Sequence, residues 1–136
     1  MDVGRATTFI SKNPRAVLAT SRADGRPQLS PVVAAVDAAG RVLISTRESA
    51  IKARNLARDP RASLCVMNDR FFGDWVQAEG QAELIHLPEA LPLLEDYYRR
   101  ISGEHPDWEE YREAMRRDKR LIVRITISRA GPDVSG

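Results

Sequence analysis

Residues 42–67 read VLISTRESAIKARNLARDPRASLCVM. This stretch predicts a strand, a short basic helix and a second strand. Val42, Ile44 and Thr46 alternate with Leu43, Ser45 and Arg47 at the two-residue period of a pleated ribbon. Ser49 stands where a helix N-cap is wanted, ahead of Ile51, Lys52, Arg54, Asn55 and Leu56. Asp59-Pro60 ends the helix, because a residue preceding proline is pushed out of the α region. Ala62 to Val66 then resumes as an apolar strand. The start of such a helix offers unpaired backbone N–H groups to an anion. Lys52 adds a positive charge on the first turn, and Ser45, Thr46 and Ser49 add hydroxyls. The pattern describes a seat for a phosphate or carboxylate, and it equally fits a capped connecting helix with a solvated basic face.

Around this unit the chain has 136 residues, which suits one domain spanning residues 1–136 with a single core. With 43% hydrophobic and 29% charged residues it reads as an ordinary globular chain rather than a disordered one. No stretch approaches the ~20 apolar residues of a membrane span. The first residues, MDVGRATTFISKNPR, show neither the apolar run nor the cleavage pattern of a secretory signal. Cys65 is the single cysteine and cannot form an internal disulfide, which fits a reducing cytoplasm. The net charge of +2 is spread along the chain without a long cationic block, so the composition argues against nucleic-acid binding.

Residues 1–14 are expected to hold a short amphipathic helix with Val3, Phe9 and Ile10 toward the core, stopped by Asn13-Pro14. Arg15 to Ser21 is a first strand, and Ala23-Asp24-Gly25 a turn. Pro27 to Val36 (PQLSPVVAAV) is a second strand, in which Pro31 demands an edge, a bulge or a place where pairing stops. Asp37 to Gly40 turns the chain into the central unit. Beyond it, NDRFFGDW is a loop, and Trp75 to His86 a strand with a bulge or bend at Gly80. Leu87-Pro88 opens a helix with Leu91, Leu94, Tyr98 and Ile101 on one face. Pro106 to Arg117 is a further helix, and Leu121 to Ile127 the last strand. Residues 130–136 are expected to form a flexible tail. Runs of strands without strict βαβ alternation favour a mainly β, α+β architecture. The expected form is a six-stranded antiparallel barrel with peripheral helices, of a size that a symmetric partner commonly completes.

The motifs of self-contained catalysis are missing. There is no GxGxxG, no P-loop and no GxSxG elbow. His86 and His105 lie nineteen residues apart with no second ligand at zinc spacing, so no metal site is expected. Cys65 falls in an apolar strand, and Asp107, Glu109, Glu110 and Glu113 read as a solvated helix surface. If the protein is an enzyme, a bound cofactor carries the reaction.

Taken together, VLATSRADGRPQLSPV, LISTRESAIKARNLARDPRASLCV, VQAEGQAEL and GEHPDWEEYREAM resemble the split β-barrel flavin and deazaflavin family over roughly Arg15 to Ile127. More narrowly, the chain resembles the pyridoxamine-phosphate-oxidase-like proteins that use the deazaflavin coenzyme F420. The combination of DGRPQ…S-P-V with K-x-R-N-L-x-R-D-P-R carries the resemblance. It implies a homodimer of FMN-binding split-barrel type with two cofactor sites at the interface, and with the lone Cys65 the expected location is cytoplasmic. Gln28, Ser30, Pro31 and Val32 would lie beside the ring. Ser45, Thr46, Ser49, Lys52, Ala53 and Asn55 would lie along the ribityl-phosphate side, and Trp75 and Gln77 would come from the other protomer. FMN-dependent relatives usually carry an Arg where this chain has Gln77 and end in R-L-x-P, and this chain has neither. The resemblance thus implies an F420-dependent oxidoreductase passing a hydride between the deazaflavin C5 and a small, flat, activated substrate. The alternatives are an FMN-binding flavin reductase or oxidase and a non-catalytic F420 carrier. Arg47, Arg54 and Arg58 would steer an anionic cofactor tail.

Overall fold

Residues 27–36 govern the architecture, because this one segment supplies both ends of the sheet. The computed structural model describes residues 1–133. It places a helix at Val3–Lys12 (α1), followed by strands Arg15–Ser21 (β1), Pro27–Val33 (β2), Ala35–Val36 (β3) and Val42–Arg47 (β4). Helix Ile51–Arg58 (α2) leads to strands Arg61–Met67 (β5) and Trp75–Ile85 (β6). Helices Ala90–Ser102 (α3) and Trp108–Arg117 (α4) then precede the long strand Arg120–Gly131 (β7). All neighbouring strands are antiparallel, in the order β2-β1-β5-β6-β7-β4-β3. The outermost strands, β2 and β3, are consecutive in sequence, so the sheet curls until its two edges meet in one bent chain segment.

The expected six strands are therefore seven. Pro27 to Val36 is not one strand: it pairs with β1 up to Val33, breaks at Ala34, and pairs with β4 through Ala35 and Val36. Ala34 is fully buried and its N–H donates to the Pro14 carbonyl at 2.7 Å, which holds the bend against the chain entering β1. Pro31 sits on an edge strand, as its missing N–H requires.

Two cores lie on opposite faces of the curled sheet. Inside it, Leu18, Leu64, Val66, Val76, Val42, Ile44, Leu121, Val123 and Ile125 pack with Ala6 and Ile10 of α1 and with Ala53 and Leu56 of α2. Outside it, α3 and α4 cover Ala35, Leu43 and Ile122 with Ala90, Leu94 and Tyr111. This explains the unbroken burial of Val42, Leu43 and Ile44: β4 is covered on both faces. The helices begin where their caps allow. Asp2 and Asp107 accept from Arg5 and Glu110 backbone N–H groups. Ser49 does not cap α2. Ala50 holds the N-cap position without a side-chain bond, so the helix starts one residue later than a serine cap would set it. Pro88 likewise stands in the turn before α3, whose N-cap is Glu89.

The expected bend at Gly80 is present, with a register shift between Glu79 and Gly80 that leaves Ser128 of β7 as the extra residue. The shift changes which residues point inward. Leu121, Val123, Ile125 and Ile127 face the inner core, and after Ser128 it is Ala130 that does so. Ala130 and Gly131, placed in the tail by the sequence, still pair with Ala78 and Gln77. The end of that tail, residues 134–136, lies outside the described residues. No helix among the described residues is long and apolar enough to cross a membrane.

A Cβ at Gly80 would overlap the Thr126 carbonyl, a backbone group that cannot swing aside. Gly80→Ala should therefore lower the unfolding free energy by about 1–3 kcal/mol. The reading is a reduced urea midpoint at unchanged slope. A wild-type midpoint would contradict the close approach.

Candidate functional site

β4 pairs with β7 along its whole length, but its other edge is paired only at Val42 and Leu43, to β3. β2 pairs with β1 over all seven residues and has no strand on its far side. The segment leaves β4 at Ala34 to follow β1, so the two open edges diverge from the bend and bound a wedge. Ser30, Pro31 and Val32 stand on one side, and Ser45, Thr46 and Arg47 on the other. Backbone groups along such edges have hydrogen-bonding capacity that no ladder uses. At the apex, the Tyr97 hydroxyl of α3 donates to the Val33 carbonyl at 2.8 Å. Burial raises the Tyr97 pKa above the ordinary tyrosine value, while the nearby Ser45 backbone N–H and the Arg120 guanidinium act to lower it.

On β2, Gln28, Ser30 and Val32 share the inner face, whereas Pro31 lies on the outer face with Leu29 and Val33. The Ser30 hydroxyl is buried and has no hydrogen-bond partner, an expensive condition for a polar group with nothing in front of it. Gln28 is tied into a chain of side chains. Asn55 donates to the Thr20 hydroxyl at 3.0 Å in a buried bond, and Thr20 donates to the side-chain Oε1 of Gln28 at 3.4 Å. Arg58 closes the chain, donating to Asn55 Oδ1 at 3.1 Å and to the Ser21 carbonyl. Both ends of the Asn55 amide are thus engaged, and Arg58 is committed to bracing α2 against β1.

Across the wedge, Thr46 is buried on the inner face of β4 opposite Leu121, and Ser45 points to the outer face opposite Ile122. The two hydroxyls do not converge. Ala53 is buried in the inner core, which lets α2 lie close to the sheet. Ser49 is exposed at the turn before α2, and Lys52 is half-buried on its first turn. Lys52 takes part in none of the ion pairs among the described residues, unlike Arg47, which stands 3.9 Å from Asp118.

Trp75 and Gln77 are not brought to this wedge within one chain. They lie on β6, three strands from β2 in the sheet order, or about 14 Å at the usual strand spacing. Trp75 instead separates two shallow clefts. One, of about 400 Å³, includes Met1, Arg5, Phe9 and Pro132; the other, of about 420 Å³, includes Gln77, Glu79 and Arg129. Phe71 and Phe72 stack edge-to-face in the preceding loop and stand in solvent. The outer faces of β2, β1, β5 and β6 form two full rows, Leu29–Ala19–Ser63–Glu79 and Pro31–Val17–Cys65–Gln77, with the pairs Val33–Arg15 and Met67–Trp75 beyond them. Much of this surface is apolar, with Leu29 61% exposed, and neither α3 nor α4 covers it.

The remaining candidates are structural. The His105 Nδ1 accepts from the Asp107 N–H at 2.9 Å, and its ring packs on Tyr98, Trp108 and Tyr111. No group of three metal-ligating side chains occurs among the described residues. Two residues at the site escaped the sequence reading. Thr20 sits at an inward position of β1, where alternation alone would have flagged a buried hydroxyl. Tyr97 lies 64 residues from Val33, and helical spacing gives no hint of that partner.

A family profile described as pyridoxamine 5'-phosphate oxidase matches residues 4–131. A conserved hypothetical protein from Mycobacterium tuberculosis is similar at 29% identity and a TM-score of 0.77, over 100% of this chain and 92% of that one. A protein described as an F420 reductase shares the fold at 18% identity and a TM-score of 0.70, over 91% and 94%. A FAD-binding protein from Mesorhizobium loti does so at 22% identity and a TM-score of 0.69, over 96% and 92%.

Thr20→Val keeps the shape of the side chain but strands the buried Asn55 amide. It should cost about 1–3 kcal/mol in denaturant unfolding, and Thr20→Ser, which keeps the hydroxyl, should cost less. Equal costs for the two variants would deny the hydroxyl its bracing role.

Proposed function

Because the chain belongs to the pyridoxamine 5'-phosphate oxidase family, we propose that it is an oxidoreductase holding coenzyme F420 along the wedge between β2 and β4. It works as a cytoplasmic homodimer on a small, flat, activated organic substrate. The observation that carries this reading is the wedge itself. Two open backbone edges, a buried Ser30 hydroxyl without a partner and the unpaired Lys52 on the helix that follows β4 are together what a flat polar ring with a phosphate tail requires.

Each side chain then has a task. Ser30 and Gln28 hydrogen-bond the ring edge, and Pro31 and Val32 form its apolar border. Lys52 neutralises the phosphate beside the first N–H groups of α2, with Ser49 at the rim and the strand edge at Ser45 and Thr46 leading toward it. Ala53 keeps α2 close, and Asn55 holds Gln28 in place through Thr20. The reduced deazaflavin, when bound, supplies a hydride from C5. The protein contributes orientation and exclusion of water, and solvent supplies the proton. Arg54, exposed on α2, steers an anionic tail.

The dimer is supported by the uncovered outer rows of β2, β1, β5 and β6, which a second copy would bury, bringing Trp75 and Gln77 of one protomer toward the wedge of the other. The choice of F420 over FMN rests on Gln77, where FMN-dependent relatives usually carry an Arg. The shared fold of the F420 reductase does not decide it. The FMN reading keeps the same wedge and the same Lys52, since both cofactors present a phosphate.

The test is titration of the protein with F420 and, separately, with FMN, following tryptophan fluorescence. Tight F420 binding with turnover of enones, quinones or nitroaromatics supports the proposal. Preference for FMN moves the protein to the flavin branch, and tight F420 binding without turnover makes it a carrier. Lys52→Ala should weaken cofactor binding about 10- to 100-fold, the worth of a charge-assisted phosphate contact; unchanged affinity would remove Lys52 from the site. Leu29→Glu should convert the dimer to a monomer in sedimentation analysis, and a variant that still dimerises would place the interface elsewhere.

A further inference from the structure

We propose that Tyr97 is a positioning residue for the wedge: its hydroxyl latches the end of β2 to helix α3, which is seated on β4, and so presets the seat that the cofactor occupies. The inference rests on the cofactor reading above for its consequence, but the latch itself stands on the geometry. The sheet has no ladder between β2 and β4 beyond the bend. At that gap the Tyr97 hydroxyl donates to the Val33 carbonyl at 2.8 Å, while Ala90 and Leu94 of the same helix pack with Leu43 of β4. Val33 follows Pro31 and Val32, so α3 fixes the strand assigned to the ring against the strand assigned to the phosphate side. One helical turn on, Arg100 donates to the Val36 carbonyl at 3.0 Å while also bonding Asp96 at 2.9 Å. Helix α3 therefore holds the bent segment on both sides of Ala34. Without the hydroxyl the two open edges are free to splay, and the cofactor must bear the ordering that Tyr97 otherwise supplies.

Tyr111 provides an internal control. Its hydroxyl makes the same kind of bond, to the Leu94 carbonyl at 2.7 Å, within the same outer core but away from the wedge. Tyr97→Phe and Tyr111→Phe each remove one tyrosine-to-backbone hydrogen bond and keep the ring. If Tyr97 is only structural, the two variants behave alike. If it positions the wedge, Tyr97→Phe weakens FMN or F420 binding about five-fold, the worth of one net hydrogen bond, while Tyr111→Phe lowers the melting temperature and leaves cofactor affinity unchanged.

Hydrogen exchange on the ligand-free protein reads the latch without any cofactor. The Ala34 amide, bonded to the Pro14 carbonyl next to the latched Val33, should be protected in the wild type and in Tyr111→Phe, and exchange about ten-fold faster in Tyr97→Phe, the loss of about one net hydrogen bond's bracing. An Ala34 amide that already exchanges in the wild type like an open loop overturns the latch, even should Tyr97→Phe fail to fold. Protection lost with affinity unchanged overturns the positioning role while the cofactor reading survives. A wild type that binds neither cofactor removes that reading, and the exchange result then judges the latch alone.

Discussion

One chain segment cannot lie in two places, and the fold is the resolution of that constraint. Residues 27–36 must pair with β1 at one end of the sheet and with β4 at the other. The sheet therefore has to curl until those ends meet, and the segment has to bend where it changes partner. Ala34 takes the bend because a methyl side chain fits a fully buried corner, and because its N–H finds the Pro14 carbonyl in place of a ladder partner. The inner core, the wedge and the need for α3 as a brace all follow from this bend.

Coverage is distributed unevenly around the curled sheet, and the unevenness is informative. Residues 42–44 of β4 and 121–123 of β7 are buried on both sides, inside by the barrel core and outside by α3 and α4. The part made of β2, β1, β5 and the first half of β6 has only its inner face covered. An antiparallel sheet tolerates a wet outer face when that face is polar, yet here it carries Leu29, Val33, Val17, Cys65, Met67 and Trp75. Helices that pair arginine with glutamate on their outer surfaces, as Arg112 does with Glu95 and Glu109, show what a surface meant for water looks like in this protein. The contrast distinguishes the two halves of the molecule.

Much of this was legible in the residues. β1 and β4 begin and end where alternation and punctuation place them, because Asn13-Pro14, the Ala23-Asp24-Gly25 turn and the Asp37–Gly40 turn are local signals that tertiary packing leaves alone. Gly25 has φ 87, the left-handed region its position demands. The break at Ala34 was hidden because PVVAAV is apolar throughout and offers no breaker; the bend is imposed from outside the segment. The displaced cap of α2 has a similar origin, since the chain leaves β4 through a turn closed by the Ala50 N–H on the Arg47 carbonyl. The extra residue at Ser128 announces itself only by a change of parity, from Ile127 to Ala130. Of the candidate site residues, Gln28 and Ser30 enter only through the family resemblance and Lys52 through its place on the first turn of α2, whereas Thr20 and Tyr97 depend on partners far away in sequence, and no local pattern encodes a meeting of that kind.

The open edges of β2 and β4 also bear on how this architecture can drift. A pocket lined by side chains is rewritten by each substitution, but a backbone N–H or carbonyl belongs to the position and not to the residue that fills it, proline alone withholding the donor. A wedge whose polar lining is largely main chain retains its hydrogen-bonding character while side chains turn over. The three similar proteins named above, at 18–29% identity, differ from this chain in most of their residues and still superpose with TM-scores of 0.69 to 0.77. In this chain the character of the wedge is set by a bend and by the groups that hold it, fewer requirements than a constellation of matched side chains would impose.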